Sequence, residues 1–512
     1  MASRSLLAEC HGAPLEPDLS SLWDVLREQA AKSPESIALI SSHQSQNLLE
    51  ELEPLSTLTA PVGNSSTWTY SRLLKAAEKL ARRLLGCGIR TGDTVAAFLP
   101  NVVEWFVIFW ACARLRVAFA PVDPAFLDRP RELQHILGTL SPKAIVCVGE
   151  CRTALLDATS NATCGQPAAI RIVLLKNAPA AAGWISLTDL VSCSDFVETP
   201  CGVTNQSEGE SAPFDCAALI LLTSGTTDLP KACIHTAQNL NAQLNCFRDI
   251  RCIRPHHRFL TLGPLYHIFA SCMALVACKA GASVCLPSSR FDAAEAAESL
   301  KSLRSTHLAC SPTTALSLLM HPGVSEHDYD HISSLQLGGD HIPQDLVMLC
   351  GKVLKPDKIY LGWGMTEGIA VVFQDGRKKP SWHDQTYNIG YVTPGNAARV
   401  CVPGSAEVVK RGEVGELHIA GAALMQGYLK GSRSFLSTTL SSSYRSDDLN
   451  WLATGDLVSM QDDGEVWMRG RLKDMIIRGG ENISPKAMEL CLNEICGIKV
   501  GSGASISIKS SL

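Results

Sequence analysis

The stretch from Cys216 to Lys231, CAALILLTSGTTDLPK, constrains this chain more than any other. It opens as an apolar run rich in Ile, Leu and Ala, which reads as a buried strand. The run breaks into Thr223-Ser224-Gly225-Thr226-Thr227, small hydroxylated residues around a glycine, and Pro230-Lys231 closes the segment. Beyond it, Leu240, Leu244 and Phe247 keep the spacing of one helix face, which places His235 in that helix as a structural residue. A strand, a hydroxyl-rich loop, a lysine and a helix in succession can cradle phosphate. Backbone N–H groups turn inward at glycine, hydroxyls donate further hydrogen bonds, and lysine adds a point charge. The ordinary P-loop, G-x-x-x-x-G-K-[ST], is not matched, because Ala232 follows Lys231 where Ser or Thr belongs. A Ser/Thr-rich surface turn after a strand is the bland alternative.

The rest of the chain supplies a frame for that loop. Residues 20–40 read as a Ser-capped amphipathic helix, a break at Pro34 and a short strand. A long helical repeat follows Trp68 and stops at Gly86 and Gly88. VAAFLP, a helix over 101–116 and AFAPVDP continue the alternation. After the loop come FLTLGPLYHIFA, ASVCLP, a helix over 292–304, HLACSP, a helix over 313–320, LQLGGD and KIYLGWGMTEG. Alternating strands and helices predict an α/β fold with largely parallel strands. The carboxyl ends of such strands line the ligand crevice, so these loops are expected to converge on the Thr223–Lys231 segment. From about residue 388 short alternating strands between Gly/Pro turns predict a small β-rich subdomain. Residues 41–66 and 193–213 read as loops.

Composition excludes several classes. With 46% hydrophobic and 19% charged residues the chain can bury a large core, and a net charge of −5 leaves no basic footprint for nucleic acid. Its twenty cysteines show no C-x-x-C pairing, and Met1–Pro17 carries acidic and polar residues where a signal peptide would be apolar. Reduced thiols in a cytoplasmic protein are the expectation. The final Ser510-Ser511-Leu512 is an imperfect S-K-L address, which keeps the peroxisome as an alternative. The apolar stretch over 102–122 is interrupted by Glu104, Arg114 and Arg116, so a buried helix is expected there and not a membrane span.

Seven segments in order then identify a resemblance: TSGTTDLPKA (223–232), PLYHIFA (264–270), GGD (338–340), YLGWGMTEG (360–368), GELHIAGAALMQGYL (415–429), WLATGDL (451–457) and GRLKDMIIRGGENISP (470–485). Together they resemble the adenylate-forming superfamily of acyl-CoA synthetases, aryl-CoA ligases, luciferases and nonribosomal-peptide adenylation domains. The resemblance implies a large N-terminal domain over 1–470, of stacked α/β sheets with the β-rich part at 388–470. A hinge and an incomplete C-terminal domain would occupy 471–512. It implies that ATP and a carboxylic acid form an acyl-adenylate, which a thiol, usually that of coenzyme A, then converts to a thioester.

By the same resemblance, Thr223, Ser224, Gly225, Thr226, Thr227 and Lys231 contact the β- and γ-phosphates, and Thr366 adds a phosphate-contacting hydroxyl. Glu367 matches the Mg²⁺ ligand, a role that suits a carboxylate. Trp363 stands where the family usually stacks Tyr on adenine, beside Gly338, Gly339 and Asp340. Asp456 matches the acid that holds the ribose hydroxyls, Arg471 a second nucleotide contact, Lys473 the hinge, and His267 the histidine near the acyl group and thiol tunnel. The chain departs from the pattern at Asp228 and Ala232, which replace glycines, and after about Ile495, where no segment matches the family's C-terminal catalytic lysine. Two other readings follow: a nucleotide- or acyl-binding relative without the chemistry, or an adenylation domain that loads a carrier protein. The acid itself is not legible in these motifs.

Overall fold

Two sheets and three layers of helices make up the computed structural model, which describes residues 6–45, 65–160, 170–174, 184–192, 216–223, 229–324, 329–376, 378–383, 386–430, 434–435, 445–446, 449–472, 476–478 and 481–483. The larger sheet has fifteen strands. Its parallel part runs through Ile37–Ser41, Ser283–Leu286, Arg258–Thr261, His307–Cys310, Ser334–Gly338 and Lys358–Met365. All but the last are short, wholly or mostly buried runs, as strands covered on both faces must be. The second sheet has nine strands. Its parallel part runs through Ala217–Leu222, Ala118–Pro121, Thr94–Phe98, Ala144–Cys147, Ile170–Val173 and Trp184–Ser186.

One hydrophobic core joins the two sheets. It takes Leu39, Phe259 and Val284 from the first, Val95, Phe119 and Leu219 from the second, and residues of the helices Tyr70–Gly86, Val103–Leu115 and Ile268–Lys279. Those helices therefore lie between the sheets. Burial explains their composition: ten of the thirteen residues of Val103–Leu115 and ten of the twelve of Ile268–Lys279 are buried, so neither has a polar face. Trp105 stacks on Phe109 at 5.4 Å and meets Phe119 edge-on at 5.2 Å. Each such buried aromatic contributes about 1.5–3 kcal/mol. Among the described residues no helix is long and apolar enough to cross a membrane, in line with the expectation for 102–122.

The outer faces are covered separately. Helices Ala293–Ser302, Pro312–Leu319 and Gln344–Val353 pack on the first sheet through Leu300, Leu318 and Cys350, against Leu308, Leu335 and Leu337. Pro130–Leu140 covers the second through Leu133, Ile136 and Leu140.

Beyond Lys358–Met365 the first sheet turns antiparallel. Gly368–Phe373 and Thr386–Val392 lead into Val466–Arg471, Leu452–Met460, Val414–Gly421 and Asn396–Cys401. The β-rich region expected from about residue 388 is thus hydrogen-bonded into the same strand path as the α/β body.

One local expectation is corrected. The chain after Lys231 does not enter the helix directly. Ala232–Thr236 is a strand, antiparallel to Ala217–Leu222 on one side and to Gly427–Lys430 on the other. The helix starts only at Ala237, where Thr236 and Asn239 form a capping box. His235 is therefore a strand residue. Most of the loop stretches 41–66 and 193–213 lie outside the described residues.

Candidate active site

Parallel pairing brings the carboxyl ends of the strands to one edge of each sheet. In the first sheet that edge carries Leu262–His267, Ser311, Gly339–Asp340 and Thr366–Glu367, each following its strand. In the second it carries Asn101, Asp123 and Thr223. Hydrogen bonds join the two edges. Asn101 donates through Nδ2 to the Gly263 carbonyl at 3.0 Å and accepts at Oδ1 from the Leu265 N–H at 2.9 Å. Burial, and after it the charge and hydrogen bond of Asp123, pushes the Tyr266 phenol up to about 12. His267, whose ring centroid is 4.9 Å from that of Tyr266, is also opposite Asp123. Loss of water lowers its pKa, and the charge of Asp123 pulls the other way.

The Thr223–Lys231 segment is clasped at its base. The Thr223 N–H donates to the Lys231 carbonyl at 2.9 Å, and the Lys231 N–H donates to Thr223 Oγ1 at 3.2 Å. Ser224, Gly225, Thr226 and Thr227, together with Asp228, lie outside the described residues, as does Lys473. The Lys231 side chain is exposed, with Nζ 5.3 Å from the centroid of the Tyr428 ring. The Tyr428 hydroxyl donates to Glu367 Oε1 at 2.6 Å. Lys231 and Glu367, 136 positions apart in sequence, therefore meet across one aromatic ring.

Glu367 is fixed from its backbone as well. Its carbonyl accepts from the Met425 N–H at 2.7 Å. The preceding carbonyl, that of Thr366, accepts from His235 Nε2 at 2.8 Å. Gln243 Nε2 lies 3.3 Å from His235 Nδ1, so the amide donates to Nδ1 and the imidazole proton sits on Nε2. Burial pushes the His235 pKa down to about 4, which keeps the ring neutral and this tautomer in place. His235 is structural, as the sequence suggested, and what it supports is the Thr366–Glu367 turn.

A carboxylate so placed fits a divalent cation. Among the described residues there is no group of three or more His, Cys, Asp or Glu, so no all-protein cage exists there. A hard cation such as Mg²⁺ binds through one or two carboxylates and completes its shell with water and substrate phosphate. Glu367 could serve as such a ligand, with Oε2 free of the Tyr428 hydrogen bond.

The third cluster centres on Asp456, which is 1% exposed. Its Oδ2 accepts from the Trp363 indole N–H at 3.0 Å, and its Oδ1 from Arg471 Nε at 2.8 Å. Asp456 and Arg471 are paired across neighbouring strands. Gly338 lies against the adjacent strand, where an added Cβ would be 2.9 Å from the Gly362 carbonyl oxygen. Gly339 has φ +86°, the left-handed region in which glycine is favoured. Asp340 accepts from the His341 N–H at 2.7 Å. Both Asp340 and Asp456 act on Tyr387, whose phenol their charges and burial push well above the usual range. That shared neighbour puts the two acids on one side of the site.

Of the residues expected from the sequence, those described fall in three groups: Thr223 and Lys231 with Thr366 and Glu367, then Trp363, Asp456 and Arg471 with Asp340, and His267 at the joint between the sheets. Tyr428, His235, Gln243 and Tyr387 were not singled out as part of the site. Tyr428 stands inside the GELHIAGAALMQGYL segment, and that was the one available signal.

Comparison with known proteins bears on the family and the fold. Residues 26–429 match the AMP-binding enzyme family. The acyl-CoA ligase GME11374 of Pestalotiopsis microspora is 25% identical, over 96% of this chain and 85% of its own length. The acyl-CoA ligase SID4 of Ajellomyces capsulatus is 27% identical, over 83% of this chain and 72% of its own. The fold is similar to that of ATP-bound MatB from Rhodopseudomonas palustris, with a TM-score of 0.72 and 23% identity over 93% of this chain and 83% of the other. A family match over most of the sequence, on a fold whose strand ends gather the matched motifs, leaves one conclusion: this chain belongs to the AMP-binding enzyme family.

Proposed function

We propose that the chain is an ATP-dependent carboxylic acid–CoA ligase. In the first step a carboxylate oxygen attacks the α-phosphorus of ATP, forming an acyl-adenylate and releasing pyrophosphate. In the second the sulfur of coenzyme A attacks the acyl carbonyl, AMP leaves with the bonding electrons, and the thiol proton passes to solvent or a nearby base. The observation that carries this reading is the meeting of Lys231 and Glu367 on Tyr428, together with the Trp363–Asp456–Arg471 cluster. A cation and a carboxylate for metal and phosphate, and a buried carboxylate for the ribose, are the groups that a nucleoside triphosphate requires.

In this reading Lys231, Thr223 and the loop residues Ser224, Gly225, Thr226 and Thr227 bind the β- and γ-phosphates, with Thr366 adding a hydroxyl. Glu367 holds Mg²⁺, which when bound neutralises developing phosphate charge. Trp363 offers its ring to adenine beside Gly338, Gly339 and Asp340, and Asp456 accepts from the ribose hydroxyls with Arg471 next to it. His267 borders the acyl and thiol side, and Lys473 is the hinge. The names of the relatives favour coenzyme A over a carrier protein as acceptor. The fifteen described cysteines are free thiols, which supports a reducing compartment such as the cytosol.

Acid-dependent ATP–pyrophosphate exchange over a panel of aliphatic and aromatic acids tests the reading. Exchange is expected with at least one acid, and Lys231→Ala or Glu367→Ala should lower it by about a hundredfold or more, the scale of losing one preorganised electrostatic group. No exchange across the panel, in protein that binds MgATP, would replace the ligase with a nucleotide-binding relative.

A further inference from the structure

We propose that Tyr428 is a positioning residue that aims the Glu367 carboxylate at the metal and keeps Lys231 from pairing with it. The inference rests on the nucleotide-site reading above and deepens it. Lys231 and Glu367 carry opposite charges and contact the same side chain, that of Tyr428. Left alone, an ammonium and a carboxylate free to reach each other would form an ion pair, and each would be spent on the other. They form none here. Each instead uses a different part of Tyr428: Lys231 faces the ring at 5.3 Å, and Glu367 Oε1 accepts a hydrogen bond from the hydroxyl at 2.6 Å.

The ring is held in place by backbone on two sides. Tyr428 is paired with Cys233 on the strand Ala232–Thr236, which begins one residue beyond Lys231. Three residues before it, the Met425 N–H binds the Glu367 carbonyl, and Gly368 bridges Leu424. The segment that carries the tyrosine is therefore laced both to the strand after the lysine and to the turn that carries the glutamate. An ordinary phenol keeps its proton up to about pH 10, so the hydroxyl is a donor at any working pH. A donor fixed on Oε1 leaves Oε2 to face the cation. How Glu367 would meet the cation depends on that orientation.

The test is ATP binding by calorimetry, with and without Mg²⁺, on the whole chain. In the wild type Mg²⁺ should raise ATP affinity. Tyr428→Phe keeps the ring and removes the hydroxyl, so the gain from Mg²⁺ should shrink by about tenfold or more, the value of a hydrogen bond to a charged acceptor. Metal-free ATP affinity should stay within about twofold, as for a substitution that disturbs nothing else. Tyr428→Leu, which also removes the ring, should in addition weaken metal-free binding, because Lys231 can then collapse onto Glu367. In a Glu367→Gln background Tyr428→Phe should have no further effect on the Mg²⁺ gain. Equal loss with and without Mg²⁺, or an unchanged gain in Tyr428→Phe, would overturn the proposal. If Mg²⁺ gives the wild type no gain at all, the assignment of Glu367 to the metal fails, and the role of Tyr428 fails with it. These outcomes are read from binding, so they stand apart from the exchange assay and from which acid is used.

Discussion

Asp456 is a buried anion whose two oxygens are each held by a different donor, the Trp363 indole and the Arg471 guanidinium. The indole contact gives Trp363 a second task besides offering its face to adenine. A phenylalanine would keep the face and lose the donor, so the two tasks can be separated. Trp363→Phe should raise the KM for ATP by about tenfold, as expected for losing a hydrogen bond to a charged group. For 2′,3′-dideoxyATP, which lacks the hydroxyls that Asp456 would hold, the same substitution should act within about twofold. Equal losses for both nucleotides, measured as KM in the exchange assay, would leave stacking as the sole role of Trp363. The residues themselves were legible because each sits inside a short motif. Their contacts were not. Trp363 reaches Asp456 across 93 positions, Tyr428 reaches Glu367 across 61 and His235 reaches Thr366 across 131, and one sequence carries no signal of pairing at such range.

Elements were legible where a cap or a period announced them. Ser21 caps Leu22–Lys32 with Asp24 in a capping box, and Thr69 caps Tyr70–Gly86, whose buried residues follow a helical repeat. The helix Ile268–Lys279 gives neither signal, since it is apolar all round and His267 makes no side-chain cap. The strand Ala232–Thr236 hides for a related reason: all five residues are buried, so no alternation marks it, and the helical spacing beyond Ala237 runs up to it. Two glycines in neighbouring elements give a prediction of opposite signs. At Gly338 a methyl group would meet the Gly362 backbone oxygen at 2.9 Å, between paired strands that cannot easily part. Gly338→Ala should destabilise by about 1–3 kcal/mol, the usual cost of overpacking. Gly351, inside the helix Gln344–Val353, finds only Ile359 Cδ1 at 3.9 Å. Gly351→Ala should therefore stabilise by about 0.5–1 kcal/mol through helix propensity. Thermal midpoints of the two variants, moving apart around the wild type, check both; a Gly338→Ala midpoint at or above the wild type would mean that the strands do open there.

At the scale of the molecule, the two ends of the first sheet differ in what they bury. The carboxyl ends of its parallel strands carry Asp340 and Glu367. Toward the opposite end, Arg251 enters the core, donating to Ser334 Oγ at 2.8 Å and to Gln336 Oε1, with its guanidinium 5.5 Å from the centre of the Tyr360 ring. His307 shares that environment with Arg251, His256 and His257 and bonds Thr306 Oγ1 at 2.9 Å. Burial first, then the positive charge of Arg251, push the His307 pKa down to about 2. His235, walled in by Gln243 and the Thr366 carbonyl, is pushed down to about 4. Both rings are neutral in the fold and take up protons once unfolded, where a histidine titrates near pH 6.5. Below about pH 6.5 the unfolded chain therefore binds more protons, and each of these histidines should lower stability by roughly 1.4 kcal/mol per pH unit. The loss should continue to about pH 4 for His235 and further for His307. Glu104 opposes it, since its buried carboxyl has a raised pKa and gains a proton in the fold before it would in the unfolded chain. Urea unfolding between pH 8 and pH 4.5 should show stability flat above about pH 7 and falling below pH 6.5. His235→Gln can still donate to the Thr366 carbonyl, and His307→Gln still offers an acceptor to Thr306. Each should make the acid slope shallower by about one proton. A slope unchanged in both variants would mean that the two rings are not held neutral, and that the His235 tautomer on which the Thr366–Glu367 turn leans is not fixed by burial.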